Sequence, residues 1–166
     1  MKLLDWIDIN KINWGYLSRN PNAVDLLENN ISKINWYGLS ENPNAINLLE
    51  NNLDKINWYY LSLNPNAISL LEQNIDKINW SNLSKNPNAI SILEKNIDKV
   101  DWICLLKNLN AITLLEQNID KVNWGWTNIL RCRKKAVKTD SDNNCNQLSA
   151  VSLQLTAKKV RVFADS

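Results

Sequence analysis

Hydrophobic and polar positions recur along this chain with a fixed period of 22 residues. The first four periods each contain a tryptophan inside an apolar cluster, then a Leu-Ser step, an Asn-Pro-Asn step and a lightly varied Ala-Ile-x-Leu-Leu run. A period of this size is typical of an array of small supersecondary units that bury their apolar faces on one another. The tryptophans that mark the period are Trp14, Trp36, Trp58, Trp80, Trp102 and Trp124.

The unit from Leu53 to Asn74 predicts a helix at its start. Asp54 stands where an N-cap carboxylate would accept hydrogen bonds from the first turn. Leu53 and Trp58 then have the spacing of a hydrophobic staple, which pairs the residue before the cap with the fourth helical residue. These signals predict a first helix over about residues 55–63.

The second half of the unit predicts another helix. Asn64 suits an N-cap, and Pro65 suits the first helical position because its missing N–H would have no partner there. Asn74 is expected to end this helix in a left-handed conformation. The predicted core face consists of Ala67, Ile68, Leu70 and Leu71.

Helices this short are marginal in isolation, because stability in water needs about 12–15 residues. The predicted fold class is therefore all-α, an α-solenoid of 22-residue helix-turn-helix repeats in which each tryptophan is internal and bridges its own unit and the next. The leucine-rich repeat is the competing architecture at this period. Aligning its asparagine with Asn74 puts Ser69 and Asn66 at leucine positions, which favours helices.

The repeat predicts four segments. Residues 1–9 form a capping half-unit, because Asp5 and Asp8 interrupt the apolar run that a signal peptide would need. The helical array occupies 10–130, with units beginning near Asn10, Ser32, Asp54, Asp76, Asp98 and Asp120. In the fifth unit Leu109 replaces the proline, and Asn108 is still expected to cap.

A change of composition near Arg131 ends the repeat. Residues 131–147 are predicted to be a basic and polar linker, and 148–166 a C-terminal tail. The tail is either disordered or a hairpin, since Val151, Leu153 and Leu155 alternate weakly. A third interpretation is that a reading-frame change made this segment foreign to the array.

The composition indicates no catalytic, cofactor or metal site, and we expect no enzyme. The chain has no histidine, and its three cysteines form no framework, which suits a reducing compartment. The carboxylates recur once per unit, as helix caps and solvated faces do, whereas a catalytic site is normally singular. No apolar run reaches the roughly 18–20 residues of a membrane span.

Two asparagine registers invite a binding hypothesis, because a ladder of amides can bind an extended peptide backbone. Capping and turn hydrogen bonds are the favoured alternative. The registers are Asn20, Asn42, Asn64, Asn86 and Asn108, and Asn22, Asn44, Asn66, Asn88 and Asn110.

Variation among units points to a protein-binding face, because variable positions of a repeat array align into surface ribbons. The pair after each tryptophan varies, and tyrosines there offer rigid area with a polar tip. Drift at unconstrained surface positions is the alternative. The candidate partner-binding residues are Tyr16, Tyr37, Tyr59, Tyr60 and Asn82.

The run L-S-x-N-P-N-A-I-x-L-L-E-x-N-x-D-K-I-N-W, seen at 61–80, resembles the short tandem repeats of uncharacterised proteins from giant DNA viruses of the mimivirus and chlorella-virus kind. The resemblance covers about residues 10–126. It implies a virus-encoded repeat array in the cytoplasm of an infected cell or in the virion, and it carries over no functional residue.

Three functions follow from these observations. The first is a non-enzymatic scaffold that binds another protein of unknown identity. The second is a virion structural component that self-associates through the ends of the array. The third is nucleic-acid contact through a basic patch in the tail, which is less expected because the array is slightly acidic. That patch consists of Arg131, Arg133, Lys134, Lys135 and Lys138.

Overall fold

The computed structural model describes residues 8–122, and these residues are helical with no β-strand. Ten short α-helices alternate between two positions in the repeat. The first helix of each unit begins at the tryptophan: α1 (Trp14–Arg19), α3 (Trp36–Glu41), α5 (Trp58–Leu61), α7 (Trp80–Leu83) and α9 (Trp102–Leu105). The second helices are α2 (Val24–Glu28), α4 (Ile46–Glu50), α6 (Ile68–Glu72), α8 (Ile90–Lys95) and α10 (Ile112–Gln117).

Short 3-10 helices connect these elements. Four of them precede a first helix, at Ile9–Lys11, Ile31–Lys33, Leu53–Lys55 and Ile75–Lys77. Pro21–Ala23 and Leu109–Ala111 link the first and second helices of their units. The strand that a leucine-rich repeat requires is absent from residues 8–122, so that alternative is excluded for this part of the chain.

The predicted start of the first helix is wrong. Asp54 lies within the 3-10 helix Leu53–Lys55, and the chain is extended at Ile56 and Asn57 before α5 begins. Asn57 is the N-cap, because its side-chain oxygen accepts from the N–H of Tyr60 at 3.2 Å. Trp58 is therefore the first helical residue and not the fourth, so the predicted staple with Leu53 does not have its expected spacing.

The second helix also begins later than predicted. Asn64 does act as a cap, accepting from the N–H of Asn66 at 3.0 Å, but this bond closes a turn at 65–66, and α6 starts at Ile68. Asn74 has φ −133°, which is not left-handed. Its side-chain amide instead donates to the Leu70 carbonyl at 2.9 Å, closing the helix end without a change of hand.

The predicted core face is confirmed. Ala67 and Leu71 are fully buried, Leu70 is 2% exposed, and Ile68 is half-buried against them. The same registers of every described unit join into one continuous hydrophobic cluster. Leucines of the first helices complete it, at Leu39, Leu61, Leu83 and Leu105.

Consecutive first helices contact one another directly: α1 contacts α3, α3 contacts α5, and α7 contacts α9. The two helices α1 and α3 lie close together at Gly38, where an added Cβ would be 3.1 Å from the Gly15 carbonyl oxygen and 3.1 Å from Cγ of Arg19. A repeated set of short helices packed against each other is therefore the architecture of residues 8–122. The predicted capping half-unit falls mainly on residues 1–7, and the sixth unit, linker and tail on 123–166; these lie outside the described residues.

The tryptophans are half-buried and pack on the core. Lys77, from the following unit, places its Nζ 4.8 Å from the centroid of the Trp58 ring. A lysine at that distance attracts the electron-rich face of the indole. The ring therefore links its own unit and the next, and its outer face is covered by a cation. The same contact recurs as Lys55 over Trp36, Lys99 over Trp80 and Lys121 over Trp102.

Candidate interaction surface

In the first four units, a buried serine near the end of the first helix joins one unit to the next. The Ser62 hydroxyl donates to the Trp58 carbonyl at 2.7 Å and accepts from the Asn79 N–H of the following unit at 3.0 Å. Asn79 is the N-cap of α7, so this bond fixes where the next first helix begins. The four serines of this register are fully buried, at Ser18, Ser40, Ser62 and Ser84.

The first asparagine register spans the junction between units. Asn64 is 1% exposed, and its side-chain amide donates to two carbonyls of the preceding unit, Ser40 at 3.1 Å and Asn42 at 2.9 Å. Its side-chain oxygen caps the turn within its own unit. The equivalent bonds are made by Asn42, Asn86 and Asn108.

The second asparagine register adds a further bond across each junction. The Asn66 amide donates to the Pro43 carbonyl at 3.0 Å, and Asn44, Asn88 and Asn110 do the same to Pro21, Pro65 and Pro87. These amides are therefore engaged in holding units together. No buried side-chain nitrogen or oxygen in residues 8–122 lacks a partner. The hypothesis of a peptide-binding amide ladder does not apply to the first register from Asn42 onward, which is buried.

The sequence carried a signal for these bonds. An N-cap uses only the side-chain acceptor, so aspartate serves as well as asparagine. At the cap before each first helix the chain does accept aspartate, since Asp101 stands where Asn57 and Asn79 stand in other units. At the two Asn-Pro-Asn registers the side chain is always an amide. That restriction indicates that the donor is used as well.

The variable pair after each tryptophan divides into two environments. The first member is exposed in later units: Tyr37 at 59%, Tyr59 at 52% and Ile103 at 46%. The second member faces the preceding unit. Gly38 and Asn82 are buried, and Tyr60 is half-buried. One ribbon is therefore a surface, and the other is an interface between units.

Asn82 is consequently not an exposed partner-binding residue. It is 1% exposed, and its side-chain amide donates to the Tyr59 carbonyl at 2.9 Å. Its side-chain oxygen accepts from the Lys85 ammonium at 3.1 Å. Because this amide is 1% exposed and both of its ends are bonded inside the protein, it is not presented to a ligand.

Tyr37, Tyr59 and Tyr60 form an aromatic cluster across two units. The ring of Tyr60 meets Tyr37 of the preceding unit edge-to-face, with centroids 6.2 Å apart and planes at 82°. It meets its neighbour Tyr59 in the same way at 5.2 Å and 81°. Edge-to-face contacts are favourable because the positive edge of one ring meets the negative face of the other. The rings of Tyr37 and Tyr59 remain more than half exposed. Tyr16 is separate from the cluster and is 76% exposed.

Beyond the tyrosine cluster, the ribbon becomes polar at Ser81. Its hydroxyl donates to the Asp101 carboxylate at 2.6 Å. Desolvation by burial acts most strongly on this carboxyl and opposes its ionisation. Hydrogen bonds from Ser81 and from the N–H groups of Cys104 and Ile103 together outweigh it, so the pKa of Asp101 lies below its ordinary 3.8. Burial raises the pKa of the Cys104 thiol, and the Asp101 carboxylate raises it further.

Other site classes have little support in the described part of the chain. No cluster of three potential metal-ligating side chains occurs among residues 8–122. In the same range, no helix has both the length and the apolar content needed to cross a membrane. The predicted basic patch, Arg131, Arg133, Lys134, Lys135 and Lys138, lies outside the described residues. Comparison with protein-family models, with curated proteins and with solved structures finds no significant match.

Proposed function

We propose that this chain is a non-enzymatic scaffold for protein–protein interaction, built as an α-solenoid of 22-residue helical pairs. The proposal is supported by how the side chains are divided. The recurring leucine, alanine, serine and Asn-Pro-Asn side chains are used within the core or across the junctions between units. Those that vary after the tryptophan form an exposed ribbon, which is where repeat proteins place their binding surfaces. A cytoplasmic or virion setting is part of the proposal on the repeat resemblance alone.

The tyrosine cluster carries the proposal. Tyr37 and Tyr59 are large aromatic side chains, each more than half exposed, in adjacent units. The ring of Tyr60 contacts both of these rings edge-to-face, so their positions are pre-organised in the absence of a partner. Rigid, exposed tyrosines lose little conformational entropy on binding and are enriched at the centres of protein interfaces. We therefore assign partner contact to Tyr37 and Tyr59, with Tyr60 as the supporting residue.

Affinity purification with three versions of the full chain tests this assignment. The first is the unaltered chain, and the second carries Tyr37→Ala and Tyr59→Ala. Tyr60 is left intact because it is half-buried. The control carries Ile31→Ala and Leu53→Ala, two comparably exposed apolar side chains (44% and 43%) at another register.

We expect proteins retained by the unaltered chain and the control to be lost from the tyrosine variant, while all three give the same thermal unfolding curve. Equal retention by the tyrosine variant would remove this surface from the proposal. Loss of retention together with a lowered melting temperature would mean that the rings are structural.

A further inference from the structure

The exposed ribbon that contains Tyr37 and Tyr59 has a second register of variable residues. Residues four apart on a helix are neighbours on its surface, so the fifth residue after each tryptophan lies beside the first. In this way Leu63 lies beside Tyr59, and Lys85 lies beside Ser81. The second register consists of Arg19, Glu41, Leu63, Lys85 and Lys107.

Side chains of this register reach their equivalents in the next unit. Nε of Arg19 donates to the carboxylate of Glu41 at 3.1 Å. By the repeat, Lys85 and Lys107 are neighbours in the same way, and both are positively charged. Burial and the Asp101 carboxylate raise the pKa of the Cys104 thiol, and the ammonium groups of both lysines lower it. Both charges therefore act on the same sulfur.

Lys85 and Lys107, which we call the lysine pair, have no carboxylate partner among residues 8–122. Nζ of Lys85 donates to the side-chain oxygen of Asn82 at 3.1 Å, a neutral acceptor, and Lys107 is exposed. The Asp101 carboxylate, which also lies near Cys104, is already hydrogen-bonded to the Ser81 hydroxyl and to two backbone N–H groups. The lysine pair thus presents two like charges that this part of the chain does not neutralise.

The ribbon consequently has an aromatic half and a cationic half. The second and third units contribute Tyr37, Tyr59 and the half-buried Leu63, and Glu41 is neutralised there by Arg19. The fourth and fifth units contribute the lysine pair. A ligand that lies along the ribbon meets apolar area at one end and uncompensated positive charge at the other.

We propose that this ribbon binds an acidic peptide segment of another protein. Apolar or aromatic side chains of the segment contact Tyr37 and Tyr59, and one or two of its carboxylates contact the lysine pair. This inference rests on the proposed function and adds the chemical class of the partner.

Charge complementarity selects this occupant. A carboxylate placed between two ammonium groups attracts both and offsets their mutual repulsion, which favours acidic partners over basic ones. A nucleic acid is a poorer match, because it carries a negative charge on every phosphate and needs many cations. Residues 8–122 contain more acidic than basic side chains and would repel such a polyanion.

Selection of peptides from a random library displayed on phage, with the full chain as bait, tests the proposal. Selected peptides are then synthesised, and their affinities are measured for the unaltered chain and for the tyrosine variant, which carries Tyr37→Ala and Tyr59→Ala. A single-stranded oligothymidine serves as the nucleic-acid probe.

Three lysine variants complete the set. Lys85→Gln with Lys107→Gln removes both charges, and Lys85→Arg with Lys107→Arg keeps them. The control, Lys11→Gln with Lys33→Gln, removes two charges at exposed lysines of another register. Thermal unfolding curves are recorded for every variant.

We expect the selected peptides to combine aspartate or glutamate with apolar or aromatic residues. Their affinity should fall about 2- to 20-fold in the glutamine variant, as expected for the loss of two exposed charge pairs. The arginine variant and the lysine control should match the unaltered chain, and the tyrosine variant should lose binding. Added salt should weaken binding to the unaltered chain, because it screens exposed charges. That measurement needs no substitution, so it decides the question even if the glutamine variant is less stable.

Two kinds of failure are distinguishable. Peptides that need the tyrosines but carry no carboxylate, or that bind the glutamine variant as tightly and are insensitive to salt, would overturn this inference and leave the proposed function intact. Peptides that bind the tyrosine variant as tightly as the unaltered chain would remove the proposed function and this inference with it. Recovery of no peptide, or tighter binding of the oligothymidine than of any peptide, would also overturn the inference.

Discussion

At the residue scale, the asparagines of the Asn-Pro-Asn step use both ends of the side chain for different partners. The oxygen of Asn64 caps a turn in its own unit, and the nitrogen donates to carbonyls 22 and 24 residues earlier. Asn57, which caps α5, uses only its oxygen. This difference explains why aspartate occurs at the cap before a first helix, as Asp101, and does not occur at the Asn-Pro-Asn positions.

Asn64→Ser tests the donor of the Asn-Pro-Asn register. Serine keeps a capping oxygen but cannot reach the Ser40 and Asn42 carbonyls, which stay buried with one bond fewer. We expect the free energy of unfolding to fall by about 2–3 kcal/mol in urea titration. Asn20→Ser is the matched control, since within residues 8–122 the Asn20 side chain caps its own turn and its amide makes no bond to another unit; it should change the value by less than about 0.5 kcal/mol. Equal losses at the two positions would contradict the junction role.

Asp101 predicts a pH dependence that the other units do not share. Its native pKa lies below the unfolded value, so the stability it contributes is complete above pH 3.8 and is lost as the pH falls through the lowered native pKa. Asn is the residue of the other units and has no proton to bind. Asp101→Asn should therefore lose less stability on acidification. Urea titrations from about pH 7 to about pH 2 check this, and parallel acid limbs for the two proteins would refute it.

At the element scale, each helix is only four to six residues long and cannot exist alone. Consecutive first helices supply each other's packing, and their separation is set by the side chains between them. Gly38 lets the backbone of α3 lie close to that of α1, whereas Tyr60 and Asn82 occupy the same register in later units. The larger side chain of Tyr60 at this register packs against Tyr37 of the preceding unit, in the aromatic cluster.

Gly15 and Gly38 lie at similar positions in their helices, so alanine substitutions at the two sites distinguish the effect of helix propensity from that of packing. Alanine stabilises an exposed helix by about 1 kcal/mol relative to glycine. At Gly38 the added Cβ meets backbone, the Gly15 carbonyl oxygen at 3.1 Å, whereas at Gly15 it meets the side-chain oxygen of Asn13 at 3.2 Å. Gly38→Ala should thus be less stable than Gly15→Ala by at least about 1 kcal/mol. Denaturant midpoints measure the difference, and the reverse order would show that α1 and α3 separate freely.

At the scale of the whole molecule, residues 8–122 are held together by a continuous core and by hydrogen bonds between units, most of which have the same polarity; the side chains of Arg19 and Ser81 are exceptions, since each donates to a carboxylate of the following unit. Amides and N–H groups of one unit donate to carbonyls and hydroxyls of the unit before it. Within residues 8–122, Asn13 and Asn20 of the first unit make no bond of this kind. The described part of the repeat therefore has a direction, with the junction bonds beginning at the second unit.

Amide hydrogen exchange should report that asymmetry. The N–H groups of Asn57 and Asn79 each donate to a buried serine hydroxyl of the preceding unit at 3.0 Å. Asn13 occupies the same register and is exposed, and within residues 8–122 its N–H makes no such bond to a serine. We expect its N–H to exchange about 100-fold faster or more, because it opens without breaking a junction. Similar protection at Asn13 and Asn57 would indicate that the first unit is as firmly held as the central ones.

The sequence by itself determined the features that each unit satisfies internally. The 22-residue period, the all-helical character and the core positions Ala67, Leu70 and Leu71 follow from local apolar spacing. The turn capped by Asn64 follows from short-range hydrogen bonds. The period is visible by comparing units, and the other features are visible within one unit and are repeated often enough to be distinguished from chance.

The tertiary structure decided what depends on the neighbouring unit. Whether the cap before a first helix is Asp54 or Asn57 is settled by the bond from that asparagine's N–H to Ser40, 17 residues away. Asn82 is an interface residue and Tyr37 a surface residue because of how units stack, although both vary and both follow a tryptophan. Local propensity gives the two helices of a unit, and the hydrogen bonds across 17 to 24 residues fix where each helix begins and which side chains reach solvent.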